Sequence, residues 1–183
     1  MPILPPEPII LPKRLLEEPI PDDSEWFLVY TKSRQEKKLI RLLREKKVPH
    51  YGPHITQRSR SPNGRVRTSF VPLFANYVFV RCNTQQQAAT YATDTIRSMT
   101  PVIDGEELQH DLRQIRDLIR MDVPLSVEAR IQPGQRVRVR NGSFAGYEGV
   151  VERRDGETRL IVMVRFMEQG ISVKLEDCQL EVI

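Results

Sequence analysis

The sequence is nearly free of cysteine and histidine, and both shortages are informative. Cys82 and Cys178 lie far apart, and neither has a second Cys or His at a metal-ligand spacing. That excludes a disulfide-stapled secreted scaffold and a zinc knuckle, and it fits a reducing cytoplasm. The only histidines are His50, His54 and His110, and Gly52-Pro53 would break any helix that brought the first two together. With no recognisable nucleophile, acid/base pair or metal cluster, the chain reads as a non-enzyme without catalytic residues, metal or cofactor. No glycine-rich loop carries the lysine of a phosphate-binding loop. Long apolar runs are missing too: Ile9-Ile10-Leu11 is hemmed in by prolines, and no stretch approaches the length of a membrane span. A soluble cytoplasmic protein with no membrane partner is expected.

Charge and proline are present but unevenly spread. The 183 residues carry a formal charge of +4, and the length suits two small modules. Residues 1–24 hold Lys13 and Arg14 against Glu7, Glu17, Glu18, Asp22 and Asp23, a balance of −3 that leaves +7 for the remainder. A basic body of this size fits either an ordinary solvated surface or a polyanionic partner. The same 24 residues contain seven of the 14 prolines and no helical or strand period, so a disordered proline-rich leader is predicted.

Order is predicted to start at Trp26-Phe27-Leu28-Val29-Tyr30, an aromatic and β-branched run typical of a buried strand. From Arg34 to Lys47, charges surround Leu39, Leu42 and Leu43 at helical spacing, and Pro49 ends the amphipathic helix. Extended segments around His50–Ile55 and Val66–Phe70 flank Ser61-Pro62-Asn63-Gly64, a hairpin signal bracketed by Arg58, Arg60, Arg65 and Arg67. Pro72–Val80 ends in another strand, and Asn83-Thr84 with Gln87 suggests a capping box opening a short helix. The strongest helix spans about Glu106–Arg120, with Leu108, Leu112, Ile115 and Ile119 on one stripe and Pro124 beyond it. Val123–Arg130 reads as a linker. Strands then recur at Gln135–Arg140, Gly149–Arg154, Arg159–Phe166, Ile171–Lys174 and Gln179–Val182, the spacing of a small barrel.

Two stretches carry the functional reading. In Arg136–Glu152, Val137 and Val139 share one strand face and Arg136, Arg138 and Arg140 the other, which reads most simply as a wet barrel face. Gly142, Gly146 and Gly149 follow, and are expected to supply backbone angles that hold Phe144 at a loop tip. The segment resembles a KOW motif, found in SH3-like barrels of transcription and ribosomal proteins. In Pro72–Val80, Tyr77 and Phe79 face one side and Val78 and Val80 the other, so two apolar faces need two partners. The aromatics either complete the core or, with Tyr30 and Phe74, form a binding surface.

A strand, a basic helix, an arginine-flanked hairpin, the Phe74-Ala75-Asn76-Tyr77-Val78-Phe79-Val80 strand, a closing helix and a C-terminal KOW segment together resemble the NusG family over residues 25–183. Within that family the chain is similar to the specialised paralogues typified by RfaH. It has Ala88-Ala89-Thr90-Tyr91 where those paralogues carry a His-Thr-Thr element, and Ala75 matches neither family pattern. The resemblance implies an α+β fold. An NGN domain at 25–122, an antiparallel sheet flanked by helices, follows the leader at 1–24. A linker at 123–130 then leads to a small SH3-like β-barrel KOW domain at 131–183.

It also implies a monomeric transcription elongation or antitermination factor. Tyr30, Phe74, Tyr77 and Phe79 match the patch that binds the RNA polymerase β′ clamp helices. Arg58, Arg60, Arg65 and Arg67 would lie near upstream or non-template DNA. The Gly142-Ser143-Phe144-Ala145-Gly146 loop would recruit a further factor such as Rho or a small-subunit ribosomal protein. The alternative reading is a ribosome- or RNA-associated KOW protein whose aromatic strand is merely core.

Overall fold

The computed structural model describes residues 6–129, 134–176 and 178–183, and these form two compact units that divide after Gly105. The first unit is built on a five-stranded antiparallel sheet of β1 (Ile10–Leu11), β2 (Glu25–Thr31), β3 (His50–Tyr51), β6 (Tyr77–Cys82) and β7 (Ile96–Pro101), in the order β1-β3-β6-β2-β7. Alternation in β2 and β6 sends Phe27, Val29, Val78 and Val80 to one face. There they pack with Leu39, Ile40 and Leu43 of α1 (Glu36–Glu45) and with Val48, Cys82 and Met99. Ile40, rather than the expected Leu42, completes the buried stripe of α1, because positions 36, 39, 40 and 43 line one side of a 3.6-residue period.

Three further expectations are corrected in this unit. The proline-rich leader is not a structureless tail over its described part. Ile10 and Leu11 pair with Tyr51 and His50, and Leu15 and Leu16 are fully buried. Residues 1–5 lie outside the described residues. The strand β7 was not anticipated, because its sequence Ile-Arg-Ser-Met-Thr-Pro lacks a continuous apolar run. In α2 (Thr84–Tyr91) the capping box is Asn83 with Gln86, one residue earlier than Thr84 with Gln87. The Asn83 side chain accepts from Gln86 N, and the Gln86 side chain accepts from Asn83 N.

The strands β4 (His54–Arg60) and β5 (Val66–Pro72) form a separate two-stranded ribbon, paired from His54↔Pro72 to Arg60↔Val66. Its tip is a Pro62-Asn63 turn followed by Gly64 at φ +75°. Hydrogen bonds from Gly64 N to Ser61 O and from Ser61 N to Arg65 O close the loop.

The second unit contains α3 (Gly105–Arg120) from Glu106 onward and a six-stranded antiparallel sheet. Its strands are β8 (Ser126–Ala129), β9 (Arg136–Val139), β10 (Glu148–Arg154), β11 (Glu157–Val164), β12 (Gln169–Lys174) and β13 (Leu180–Val182), in the order β13-β9-β10-β11-β12-β8. The region expected as a linker therefore supplies β8, which pairs with β12. On α3 the buried stripe is Leu108, Leu112, Ile115 and Leu118, so the last turn steps by three to Leu118 rather than by four to Ile119. The core on one face of the sheet is Val137, Val139, Leu160, Val162, Val164, Ile171 and Val173, while Val150, in register with Arg136 and Ile161, is buried on the other.

Candidate functional site

The aromatic strand sits at the centre of the first sheet, and its register decides what each ring can do. Tyr77 lies opposite Tyr30, and Phe79 opposite Leu28 and Tyr51, so all five side chains share the face turned away from α1. The four rings expected to form one patch separate into two roles. Phe74 and Phe79 are buried, 1% and 0% exposed, and pack edge-to-face with centroids 5.9 Å apart. Tyr30 and Tyr77 are half-buried, their rings 5.2 Å apart and tilted by 42°. Leu28, half-buried, and Ser98 and Thr100, exposed on β7, extend the accessible part of this face. Phe74 and Phe79 pack on each other and, being buried, cannot themselves meet a partner without unpacking.

The turn that delivers Tyr77 has an anchor that sequence reading missed. Asn76 adopts φ +67°, which Asn tolerates better than most residues, and its N–H donates to the Glu36 carboxylate at 2.7 Å. Glu36 is only 7% exposed, and Thr31 N donates to Asn76 O at 2.8 Å, so the turn is held from α1 and from β2. Glu36 and Asn76 are 40 residues apart, and no local pattern pairs them.

On the ribbon, Arg58, Arg60, Arg65 and Arg67 are all exposed. Pairing puts Arg58 and Arg60 on one face with Val66 and Thr68, and Arg67 on the other with Ser59; Arg65 sits at the tip. The signal that marks this region is a void of acid: between Glu45 and Asp94 there is no Asp or Glu, while seven Lys and Arg residues occur. None of the four ribbon arginines is ion-paired with a described carboxylate.

The arginines of the second unit behave differently. Glu148 binds Arg138 at 2.6 Å and Arg136 at 3.3 Å, and Glu181 binds Arg140 at 3.1 Å. Burial pushes the Glu148 carboxyl up, but the Arg138 hydrogen bond and the surrounding positive charge outweigh it and hold the group below the usual carboxylate range. This expected wet, basic strand face is therefore largely neutralised by the chain's own acids.

The loop after β9 is closed by hydrogen bonds from Gly146 N to Val139 O and from Tyr147 N to Phe144 O. Gly142 and Gly146 take φ +81° and +89° as the spacing predicts. Gly149 has a different reason: a Cβ there would overlap the Ile161 carbonyl oxygen, so it permits close strand approach rather than a positive φ. Phe144 is half-buried and meets Tyr147 edge-on at 6.4 Å, while Ser143 and Ala145 are exposed beside it.

His50 and His54 are buried and apart from these surfaces, each with Nδ1 on a nearby carbonyl, Val48 O and Gly52 O. Burial, with Glu25 adding to it, pushes the Cys82 thiol up to about 12, so it stays a protonated core group. Among the described residues no cluster of three or more His, Cys, Asp or Glu could hold a metal, and no helix is long and apolar enough to cross a membrane.

Comparison with known proteins agrees with the order of these parts. A family model described as transcription termination factor nusG matches residues 24–119, and a KOW motif model matches residues 133–165. The chain is 28% identical over 177 residues to the transcription termination/antitermination protein NusG of Pseudomonas aeruginosa, covering 86% of this chain and 98% of that protein. Among solved structures, the MjSpt4:Spt5 complex in conformation B aligns with 86% of this chain and 97% of its own at 18% identity and a TM-score of 0.29. Since the first family match alone takes in more than half of the sequence and the KOW match follows it in order, the chain belongs to the NusG family of transcription factors.

Proposed function

We propose that this protein travels with bacterial RNA polymerase as an elongation or antitermination factor, attached through the Tyr30–Tyr77 face of its first sheet. The observation that carries this reading is the half-exposed tyrosine pair, rings 5.2 Å apart, on the same sheet face as buried Phe79. Such a face gives a partner two rigid aromatic surfaces with polar tips, the side chains most enriched at interface centres. The occupant is taken to be the β′ clamp helices. Binding there stabilises one conformational state of the polymerase and so favours processive elongation.

In this reading the ribbon arginines lie toward upstream or non-template DNA, and the Gly142–Gly146 loop presents Phe144 to a recruited factor, Rho or a small-subunit ribosomal protein. The six-stranded sheet would curl into the small SH3-like barrel of a KOW domain, and the protein would act as a cytoplasmic monomer.

A pull-down with core polymerase tests the attachment. Tyr30→Ala with Tyr77→Ala should reduce retention at least tenfold while the circular dichroism spectrum stays unchanged. Retention of full binding by that variant sinks the reading. Phe79→Ala is a poor probe, because it opens a cavity at a fully buried position and costs about 3–5 kcal/mol of stability.

A further inference from the structure

We propose that the β4–β5 ribbon inserts into the major groove of duplex DNA, with Arg58 and Arg60 on one face and Arg67 on the other meeting phosphates of the two strands while Arg65 leads at the tip. The inference rests on the reading that these arginines face nucleic acid, and it specifies which kind and by what geometry.

The shape favours a duplex groove. The ribbon is a two-stranded sheet of its own, seven residues on each strand, which makes it about 24 Å long at the usual rise per residue. From Thr56 to Arg67 its residues are exposed on both faces, apart from Ser61 at the turn. A B-form major groove, about 12 Å wide, admits a two-stranded β-ribbon, and a minor groove of about 6 Å does not. Double-stranded RNA presents a deep, narrow major groove that a ribbon cannot enter.

Chemistry points the same way. Single-stranded nucleic acid is held by aromatic side chains on which bases stack, and no residue from Thr56 to Ser69 is aromatic. The ribbon offers guanidinium groups, hydroxyls and amides instead. Among the described residues no carboxylate pairs with its arginines, in contrast to Arg136, Arg138 and Arg140 in the second unit, which are paired with Glu148 and Glu181. Unpaired guanidinium groups on both faces of a thin blade can neutralise phosphates on both walls of a groove, and such contacts carry no sequence information.

The test uses the full chain and no polymerase, so its failure is distinct from failure of polymerase attachment. Binding to a 24-base-pair mixed-sequence DNA duplex, the matching single strand and the matching RNA duplex is followed by fluorescence anisotropy between about 50 and 200 mM salt, the range over which counterion release is read. The DNA duplex should bind tightest, with a log–log salt slope near −3.6 for about four neutralised phosphates. Arg58→Ala with Arg60→Ala should flatten that slope by about two, and Arg67→Ala by about one. Substitution of all four by Lys should keep most of the slope, which separates lost charge from lost fold. Methyl green, which occupies the major groove, should displace the protein, and netropsin in the minor groove should not. Absence of duplex binding, preference for the single strand or the RNA, an unchanged slope in the alanine variants, or displacement by netropsin alone would each overturn the proposal. Intact polymerase retention alongside any of those results would leave the Tyr30–Tyr77 reading standing.

Discussion

His50 and His54 each turn Nδ1 toward a backbone carbonyl, Val48 O at 2.8 Å and Gly52 O at 2.7 Å. A carbonyl only accepts, so Nδ1 carries the proton and Nε2 is left as a bare acceptor, which in both residues is buried without a hydrogen-bond partner. Charging either ring would place a second N–H in that apolar space. Burial accordingly lowers both pKa values, and nearby Arg44 and Lys37 add to the effect against the opposing carbonyl bonds. The folded state therefore binds these protons less readily than the unfolded chain, whose histidines titrate near 6.5. Stability from this source is complete above about pH 6.5 and is lost as pH falls toward the folded values. Urea unfolding between pH 7.5 and 5.5 should show a decline approaching about 1.4 kcal/mol per pH unit for each histidine in the window below 6.5. A flat or rising profile there would show that the rings can be charged in place.

At the scale of elements, the N-terminal segment is an edge strand with an anchor. β1 extends the sheet at β3, Gly52 N donates to Ile9 O, and Arg41 makes a two-pronged bond to Glu7. Deeper in, Arg81 is 5% exposed and directs one guanidinium nitrogen to the carbonyls of Leu15, Glu18 and Pro19. Leu15→Ala and Leu16→Ala should each cost about 2–5 kcal/mol, as removal of a buried leucine side chain does, whereas the exposed Lys13→Ala should stay within about 0.5 kcal/mol. Equal, near-zero shifts in the urea midpoint for all three would restore the picture of a loose leader. Local pattern could not reveal this segment, because its seven prolines erase any period and its main anchor lies 66 residues from Leu15.

The elements that were legible are those whose periodicity answers to one partner: β2 and β6 by alternation, and α1 and α3 by their stripes. The site was half legible for a related reason. Alternation puts Tyr77 and Phe79 on one face, but what covers Phe79 and leaves Tyr77 open depends on Phe74 and Tyr51, which tertiary packing brings there.

At the scale of the whole molecule, α3 is matched by the family model that spans residues 24–119, yet it packs with the compact unit that runs to the C-terminus. The ties are specific. The Asp111 side chain, 4% exposed, takes Arg165 Nη2 at 2.7 Å, Arg165 Nε at 3.1 Å and the Arg165 backbone N–H at 3.0 Å, and Glu107 holds Nη1 of the same arginine at 2.6 Å. One turn further along, Gln114 Oε1 accepts from Glu148 N at 2.7 Å, and the same Glu148 organises Arg136 and Arg138. Loss of the Asp111 carboxylate removes its charge-assisted bonds to the guanidinium and the side-chain acceptor of the Arg165 backbone N–H, and leaves Glu107 as the arginine's remaining carboxylate partner, a cost of about 1.5–3 kcal/mol. Asp111→Ala should therefore lower hydrogen-exchange protection in β10, β11 and β12 and leave β2 and β6 as they were. A fragment of residues 106–183 should likewise unfold at higher urea than one of residues 123–183, which lacks the helix and exposes Arg165 and Glu148. If the shorter fragment is as stable as the longer, the helix contributes nothing to the KOW sheet. If Asp111→Ala loosens β2 and β6 equally, the two compact units unfold as one, and the fragment boundary has no meaning for how this chain folds.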